Sequence, residues 1–374
     1  MALKNRKEDH LFMSYQEAKS GNENAPQTYV ETTARFESRA LMTLPEPTRM
    51  YEDDTGKLGT GQHGLTGDLM AIGTPFSISS VERFSELAYW LAFAMGGAGN
   101  VNTISAGVYS HLMDMLAAAS LSMPTLSFEY GNAGASSNLV HAGNVVNDCS
   151  ITIPFNSGNG KIDATFNGWG NHHYTTAGVL TKMTNGSMSS AAETISGEPL
   201  INGKCCQAWI ASALEDDFGQ TSVDFTDEDL GSSLVEITSL LNSITFTINN
   251  GMSLEAALRG GGCGTVNDWT RGVPVITVEL NLRKNVSTAD FRSFALANTN
   301  KALEILFQGP AITGNYRYAM DLFFPVIEFR GTQEDDETPT SQTLPAKVFE
   351  DSSGYAFRAL FQSPIDENYS QVAP

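Results

Sequence analysis

The chain has 374 residues, which is ample for a hydrophobic core and suggests two domains of ordinary size. Its 22 Lys and Arg residues against 42 Asp and Glu residues give a net charge of -20, which argues against a surface that grips nucleic acid by neutralising phosphates. That charge suits a surface that repels DNA or simply stays soluble. No apolar run reaches the ~18–20 residues of a membrane span, and no apolar stretch follows the basic N-terminus as in a signal peptide. Four cysteines are too few for a disulfide scaffold, so we expect cytoplasmic synthesis with free thiols.

Residues 1–60 are polar and irregular, and we interpret them as an N-terminal arm with loops. A long segment of this kind either contacts a partner or is disordered. The first strong element is a helix, because Ser79 and Glu82 have the spacing of a capping box. Apolar residues continue at helical spacing to Met95, and Gly96 ends the pattern. Large apolar side chains on every side of this helix predict that it is packed on both sides.

A second helix is a candidate at Val108–Ala119, and we interpret its His111 as a packing histidine rather than a ligand. Strand patterns dominate after that point, with a hairpin expected around residues 156–160. We interpret residues 167–200 as long loops, residues 215–217 and 224–229 as acidic loops, and a short capped helix is expected from Ser287. The predicted strands are Thr125–Tyr130, Val145–Phe155, Ile162–Phe166, Lys204–Ser212, Ile244–Ile248, Val273–Leu282 and Tyr355–Leu360.

The stretch from Leu303 to Gly331 carries the clearest pair of strands. It contains two β-rich runs, Leu303–Phe307 and Tyr316–Phe329, with breaks at 308–310 and 314–315. Pro325 cannot donate to a ladder, so it predicts an edge or a bulge. Residues 303–310 (LEILFQGP) resemble a picornaviral 3C-type protease site, but strand pattern on both sides favours a native sheet segment. We expect the face with Arg317, Ala319 and Asp321 to be wetter than the face with Tyr316 and Leu322.

Two strand segments resemble each other. VVNDCSITI from Val145 and LLNSITFTI from Leu240 share an asparagine, a threonine and an isoleucine at matching places. Internal duplication and chance similarity between two strands are alternative explanations for these matches.

The sequence contains no clear motif for catalysis or for binding a metal or cofactor. His172-His173 lacks other ligands at metal-site spacing and is interpreted as a loop pair. Cys205-Cys206 lacks the spacer of redox and zinc motifs, so one side chain is expected in the core and one outside. Residues 260–264 lack the Lys-Ser/Thr of a phosphate loop, and 224–229 lack the pattern of a calcium loop. We therefore predict no enzyme activity and no catalytic, cofactor-binding or metal-binding residues.

The order of these features resembles the tail tube (major tail) proteins of long-tailed bacteriophages, in the form with two tube modules. The resemblance spans about residues 65–363. It rests on the capped helix Ser79–Met95, the MPTLSFE segment from Met123, the GNVVNDCSI segment from Gly143, the strand SITFTINNG from Ser243, and the paired strands Leu303–Phe329. Asn144 stands where this family commonly has Cys, and residues 1–60 match nothing in it.

The resemblance implies a mainly β protein with a few short α-helices, built from two tandem β-barrel or sandwich modules. The expected divisions are 1–60 as arm, 61–200 as the first module and 201–374 as the second. It implies a structural virion protein that forms homotrimeric, pseudo-hexameric rings, which stack into the tail tube of a siphophage-like particle. The expected partners are the chain itself and the tape measure, tail terminator and tail tip proteins. DNA would pass through the lumen without specific binding during ejection.

Three alternatives remain at the level of sequence. One is another phage tail structural protein, such as a contractile-tail tube or a terminator. The second is a carbohydrate-binding β-sandwich, motivated by loops rich in Asn, Gly and Ser and by aromatic residues such as Trp169 and Tyr174. The third is a hydrolase assembled from scattered His, Asp and Glu residues, for which there is no positive motif.

Overall fold

A computed structural model describes about three fifths of the chain. The described ranges are 9–16, 35–38, 41–43, 48–52, 68–79, 81–96, 100–115, 123–132, 139–170, 172–173, 192–194, 198–211, 235–256, 266–283, 300–331, 333–334, 341–352 and 354–366. The expected acidic loops at 215–217 and 224–229, the glycine-rich segment 260–264 and the helix from Ser287 lie outside these ranges.

The protein is mostly β, as predicted, and its strands form a large antiparallel sheet. The described part of the chain holds one α-helix, α1 (Phe84–Met95). The strands are β1 (Asp9–Gln16), β2 (Arg35–Ser38), β3 (Leu41–Thr43), β4 (Thr48–Glu52), β5 (Asp68–Ser79), β6 (Asn100–Ser105), β7 (Val108–Asp114), β8 (Thr125–Asn132), β9 (Leu139–Pro154), β10 (Asp163–Gly170), β11 (His172–His173), β12 (Ala192–Thr194), β13 (Cys206–Ala211), β14 (Val235–Glu236), β15 (Leu241–Asn249), β16 (Ser253–Ala256), β17 (Val266–Thr270), β18 (Val275–Arg283), β19 (Lys301–Thr313), β20 (Tyr316–Phe329), β21 (Gln333–Glu334), β22 (Ser341–Phe349) and β23 (Arg358–Ser363).

One continuous ladder links both halves of the chain. Its order is β3-β5-β10-β9-β15-β18-β22-β20-β19-β13-β14, and every neighbouring pair is antiparallel. The first part of β9 also pairs with β8 and β11, and β8 continues through β1 and β2 to β12. The strand β9 therefore belongs to both groups of strands.

The ladder branches at β20. One edge of β20 pairs with β19 along most of its length. The other edge pairs with β23 over Ala319–Phe323 and with β22 over Val326–Phe329, and Pro325 lies between the two partners. Since proline has no N–H to give to a ladder, it fits the point where β20 changes partner. Beyond β23 this branch continues through β7 to β6.

The helix α1 is buried along its whole length, as its apolar residues predict. The ring of Phe84 contacts Phe307 of β19 and Phe361 of β23, with ring centroids 6.1 and 5.3 Å apart. The ring of Trp90 lies 5.7 Å from Phe166 of β10. The helix therefore fills the space between the branch and the first strands of the ladder, and it joins them into one core. Gly96 ends it in the left-handed conformation (φ 73°), as predicted.

The capping box predicted at the start of α1 is wrong. Ser79 is the last residue of β5, where it pairs with Leu41 and Thr165, and the helix begins at Phe84. The carboxylate of Glu198 takes the capping role instead. It accepts hydrogen bonds from the backbone N–H (3.0 Å) and the hydroxyl of Ser85. Strand pairing overrides the local signal here, and the cap comes from more than 100 residues away in the chain.

Three further predictions are corrected. Residues 1–60 were expected to be irregular, but their described part forms the four strands β1 to β4, and β1 pairs with β8 along its whole length. The start of the candidate helix Val108–Ala119 is strand β7, which runs to Asp114, and residues 116–119 lie outside the described ranges. The start of the predicted loop 167–200 is also strand, because β10 extends to Gly170 and His172-His173 form β11. The other predicted strands are present, although the last is β23 at Arg358–Ser363 rather than Tyr355–Leu360.

The two similar segments prove to be neighbours, because they lie in β9 and β15. The carbonyl of Asn147 accepts a hydrogen bond from the Asn250 N–H (2.8 Å), and the carbonyl of Asn242 accepts one from the Phe155 N–H (2.9 Å). The matched asparagines are thus related by a local two-fold axis. Two tandem modules in a ring would be related by rotation about the ring axis instead. The similarity of these two segments therefore does not support tandem modules. The division at 200/201 stays a prediction.

Candidate functional site

The long hairpin β19–β20 is the centre of the candidate site, because the branch of the sheet is built on it. The turn lies at Gly314-Asn315, as predicted, and Gly314 has φ 56°. The predicted break at 308–310 is wrong, since β19 runs through it as a strand with shifts of register between Gln308 and Thr313. The segment LEILFQGP at 303–310 is therefore part of the sheet, as its flanking strand pattern indicates.

The tip of this hairpin extends past both neighbouring strands. The strand β13 pairs with β19 as far as Phe307, and β23 pairs with β20 from Ala319 onward. Three residues of β20 beyond that point correspond to roughly 10 Å of strand. Most tip residues are exposed, and Arg317 is the one charged side chain among 308–318. Gln362 Nε2 steadies the base of the tip by donating to the Arg317 carbonyl (2.7 Å).

Both faces of the hairpin are buried below the tip. On one face Met320 and Leu322 are fully buried in the core. On the other face Ala319 is fully buried and Asp321 is 6% exposed. The expectation of a wetter second face therefore holds at Arg317 and is wrong at Ala319 and Asp321.

A pair of buried carboxyl groups lies on this second face. Glu304 of β19 and Asp321 of β20 are 7% and 6% exposed, and their side chains are joined by a hydrogen bond. Burial raises the pKa of Glu304 to about 7, and the hydrogen bond from Asp321 opposes that rise. Burial, the charge of Glu304 and the shared hydrogen bond raise the pKa of Asp321 well above its ordinary value. Asp321 therefore keeps its proton at neutral pH and donates it to Glu304.

The outer face of the four neighbouring strands β10, β9, β15 and β18 has a different character. Hydroxyl and amide side chains dominate it, and the hydroxyls of Thr152 and Thr245 (2.9 Å) and of Thr247 and Thr277 (2.6 Å) are bonded across strands. We call this surface the polar face. It consists of Asp163, Thr165, Asn167, Asp148, Ser150, Thr152, Ser243, Thr245, Thr247, Asn249, Val275, Thr277, Glu279, Asn281 and Arg283. Three carboxylates against one guanidinium leave it slightly acidic.

The strands β6, β7, β23, β20, β19 and β13 lie side by side in this order, and the two ends of this row differ. At one end the outer edge of β13 is closed, because the Ala208 carbonyl accepts from the Ile237 N–H (2.9 Å) and the Ala208 N–H donates to Thr238 Oγ1 (2.9 Å). At the other end β6 pairs with β7 through Asn100–Ser105, and within the described ranges no strand pairs with its second edge. Sequence reasoning missed β6; alternating polar and apolar residues before the Ala106-Gly107 turn were the available signal.

The remaining candidate residues occupy structural positions. His111 Nε2 bonds the Ile365 carbonyl (2.9 Å), and burial lowers its pKa to about 4, so it is a packing histidine as interpreted. Cys206 is buried and Cys205 is exposed, which confirms the expectation for that pair. His172-His173 pair with β9 as a strand rather than a loop. Among the described residues there is no group of three His, Cys, Asp or Glu that could hold a metal ion.

Comparison with known proteins adds no identity. No family model matches the chain, and no curated protein matches it. None of the helices in the described part of the chain is both long enough and apolar enough to span a membrane.

Proposed function

We propose that this protein is a structural subunit of a bacteriophage tail tube. Copies of the chain associate into rings, the rings stack, and the resulting tube conducts DNA during ejection. The chain has no catalytic role and needs no cofactor. Its localisation is the phage tail, after assembly in the host cytoplasm.

One observation carries this proposal: the sheet that holds the polar face is large, antiparallel and covered by the core on its other side. A DNA conduit needs a wall that is wetted but does not bind phosphate. Hydroxyl and amide side chains hydrate well, and the excess of carboxylates repels the DNA backbone. In the proposed tube the polar face lines the lumen, and the net charge of -20 keeps the whole subunit from gripping DNA.

The arrangement of elements adds support. An early buried helix and a long hairpin at the branch of the sheet occur in the order that the family resemblance implies. The hairpin tip carries the half-buried Tyr316 and the exposed Arg317, which are residue types enriched in protein interfaces. A ring that stacks needs such contacts on its upper or lower surface, because heterologous stacking builds an open tube.

Electron microscopy tests the proposal. Purified protein at high concentration, alone or with tail tip proteins from the same genome, should form rings or tubes with a central channel in negative stain. Antibodies against the chain should label the tails of phage particles. Monodisperse monomers under all of these conditions, together with absence from virions, would refute the proposal. A neighbouring gene for a sheath protein would instead indicate a contractile tail.

A further inference from the structure

A cavity of about 380 Å³ opens where strand β18 begins and strand β22 ends. Its apolar wall includes the buried Met115, Ile276 and Val348 and the half-buried Ala356. Pockets that hold small molecules have volumes of about 300–1,000 Å³, are mostly apolar and carry a few polar groups. In size and in the chemistry of its wall, this cavity therefore fits a small and largely apolar ligand.

The rim of the cavity exposes apolar side chains to water. Val273 lines the cavity and is 74% exposed, and Val275, two residues further on, is 42% exposed. They are two of the four large apolar side chains that are exposed in the described ranges, and the others are Leu200 and Val235. Exposed apolar surface beside a cavity marks a place where a ligand can remove that surface from water. The apolar rim therefore extends the site beyond the cavity.

A cation without an acidic partner lies at this cavity. The Lys347 ammonium is 5.3 Å from the centroid of the Phe349 ring, and both residues line the cavity. Among the described residues Lys347 forms no ion pair, whereas Arg330, which lies over the same ring, is paired with Glu328 at 3.3 Å. Because Lys347 is half-buried, water screens its charge only in part. Its ammonium is therefore available to an anionic group on a ligand.

The cavity has a second charged residue, Glu350. Unlike Lys347 it is exposed, and water and salt weaken the interactions of an exposed charge. Lys347 therefore decides the sign of the charge that the ligand carries. A lysine is a compact single charge, which suits a singly charged carboxylate better than a phosphate group that carries nearly two charges.

We propose that this cavity binds a small amphiphilic carboxylate, with the apolar chain in the cavity and the carboxylate on the Lys347 ammonium. The apolar wall stabilises the complex by removing the chain from water, and Lys347 selects an anionic head group. The site does not depend on the proposed tube, because none of these contacts involves a second copy of the chain.

Octanoate and octan-1-ol test the two parts of the site separately, because they share an apolar chain and only octanoate is charged. Isothermal titration calorimetry measures the binding of each ligand to the wild-type protein. We expect a dissociation constant of about 1 mM for octanoate, which is within reach of a ligand of this size, and binding of octan-1-ol that is at least fivefold weaker. The methyl signal of Met115 in a ¹H–¹³C spectrum should shift with octanoate, which locates the ligand in the cavity.

Two matched pairs of variants test the residues at the cavity. Lys347→Gln removes the cation, and Lys204→Gln makes the same change at an exposed position elsewhere in the chain. Val273→Asp adds an anion at the rim, and Val235→Asp adds one at an exposed valine of β14. Lys347→Gln and Val273→Asp should each weaken octanoate binding about fivefold, while both controls stay within twofold of wild type. Lys347→Gln should leave the binding of octan-1-ol within twofold, and thermal unfolding checks that every variant folds.

Four results would overturn this inference. They are no binding of octanoate below the concentration at which it forms micelles, equal affinity for octanoate and octan-1-ol, unchanged octanoate affinity in both Lys347→Gln and Val273→Asp, and a Met115 signal that does not move when calorimetry detects binding. If a variant fails to fold, the Met115 signal and the two ligands still decide the matter in the wild-type protein. Rings and tubes are tested separately by electron microscopy.

Discussion

Replacing Glu304 by glutamine should stabilise the protein at alkaline pH. In the folded protein the pKa of Glu304 lies at about 7 instead of 4.5, because burial disfavours its charged form. Glutamine has nearly the same shape and keeps an oxygen that accepts the hydrogen bond from Asp321. It never ionises, so the variant avoids a buried negative charge above pH 7.

The sign and size of the effect follow from the two pKa values. Between pH 4.5 and about 7 the folded protein holds a proton on Glu304 that the unfolded chain has lost, so stability falls as pH rises. The contribution is fully present below pH 4.5 and is lost once pH passes about 7. At about 1.4 kcal/mol per pH unit, the interval from pH 5.5 to about 7 amounts to roughly 2 kcal/mol.

Urea unfolding at pH 5.5 and pH 8.5 measures this quantity. The advantage of Glu304→Gln over wild type should be about 2 kcal/mol larger at pH 8.5 than at pH 5.5. Glu279→Gln, on an exposed strand position, is the control and should shift stability by less than about 0.5 kcal/mol at either pH. Equal advantages for Glu304→Gln at both pH values would refute the assignment of a buried, proton-sharing pair.

Three further predictions follow from the core, the hairpin turn and the thiols. Phe84→Ala removes a fully buried ring that contacts three other rings. It should lower the free energy of unfolding by about 3–5 kcal/mol in urea titrations, and a loss below about 1 kcal/mol would contradict the packing of α1. The added methyl group of Gly314→Ala meets no atom within 4 Å, but the alanine must adopt φ 56°. This variant should therefore lower the free energy of unfolding by about 1 kcal/mol in the same assay, and no change would argue against this turn. A thiol reagent at pH 8 should modify Cys205 in the folded protein and reach Cys206 and Cys149 only on unfolding, as followed by peptide mass spectrometry; native modification of Cys206 would contradict its burial.

The elements that sequence predicted well are those whose signal is local and repeated. Helix α1 combines helical spacing of large apolar residues with Gly96, and tertiary burial on all sides agrees with that pattern. The hairpin β19–β20 combines two long β-rich runs with Gly314-Asn315, a sequence suited to a tight turn. The sequence correctly predicts a disruption at Pro325. It does not predict which strands pair with β20 on either side of Pro325, because β23 and β22 come later in the chain.

The errors arise where distant residues decide the local structure. Ser79 has the right spacing for a helix cap, yet it is drawn into β5 by pairing with Leu41 and Thr165. The strand β7 is buried on both faces, so it lacks the alternation that distinguishes a strand from a helix. The sequence predicts a solvent-facing Asp321, because carboxylates in strands are usually exposed. Its burial is tolerated because the raised pKa of Asp321 keeps this side chain neutral.

Some parts of the candidate site can be predicted from the sequence and others cannot. The hairpin could be located from sequence, because it is one continuous segment. The polar face could not, since it is assembled from β9, β10, β15 and β18, and their register is set by long-range pairing. The position of β6 at an edge of the described sheet could not either, because an edge is defined by which strands pair with it rather than by its own residues.

The most direct test of the proposed function is a cryo-electron microscopy average of the assembled protein viewed down its axis. The proposed tube predicts closed rings with a central channel, three copies of the chain in each ring, and the polar face of β9, β10, β15 and β18 turned toward the channel. Assemblies without a channel, or rings with the polar face turned outward, would contradict it.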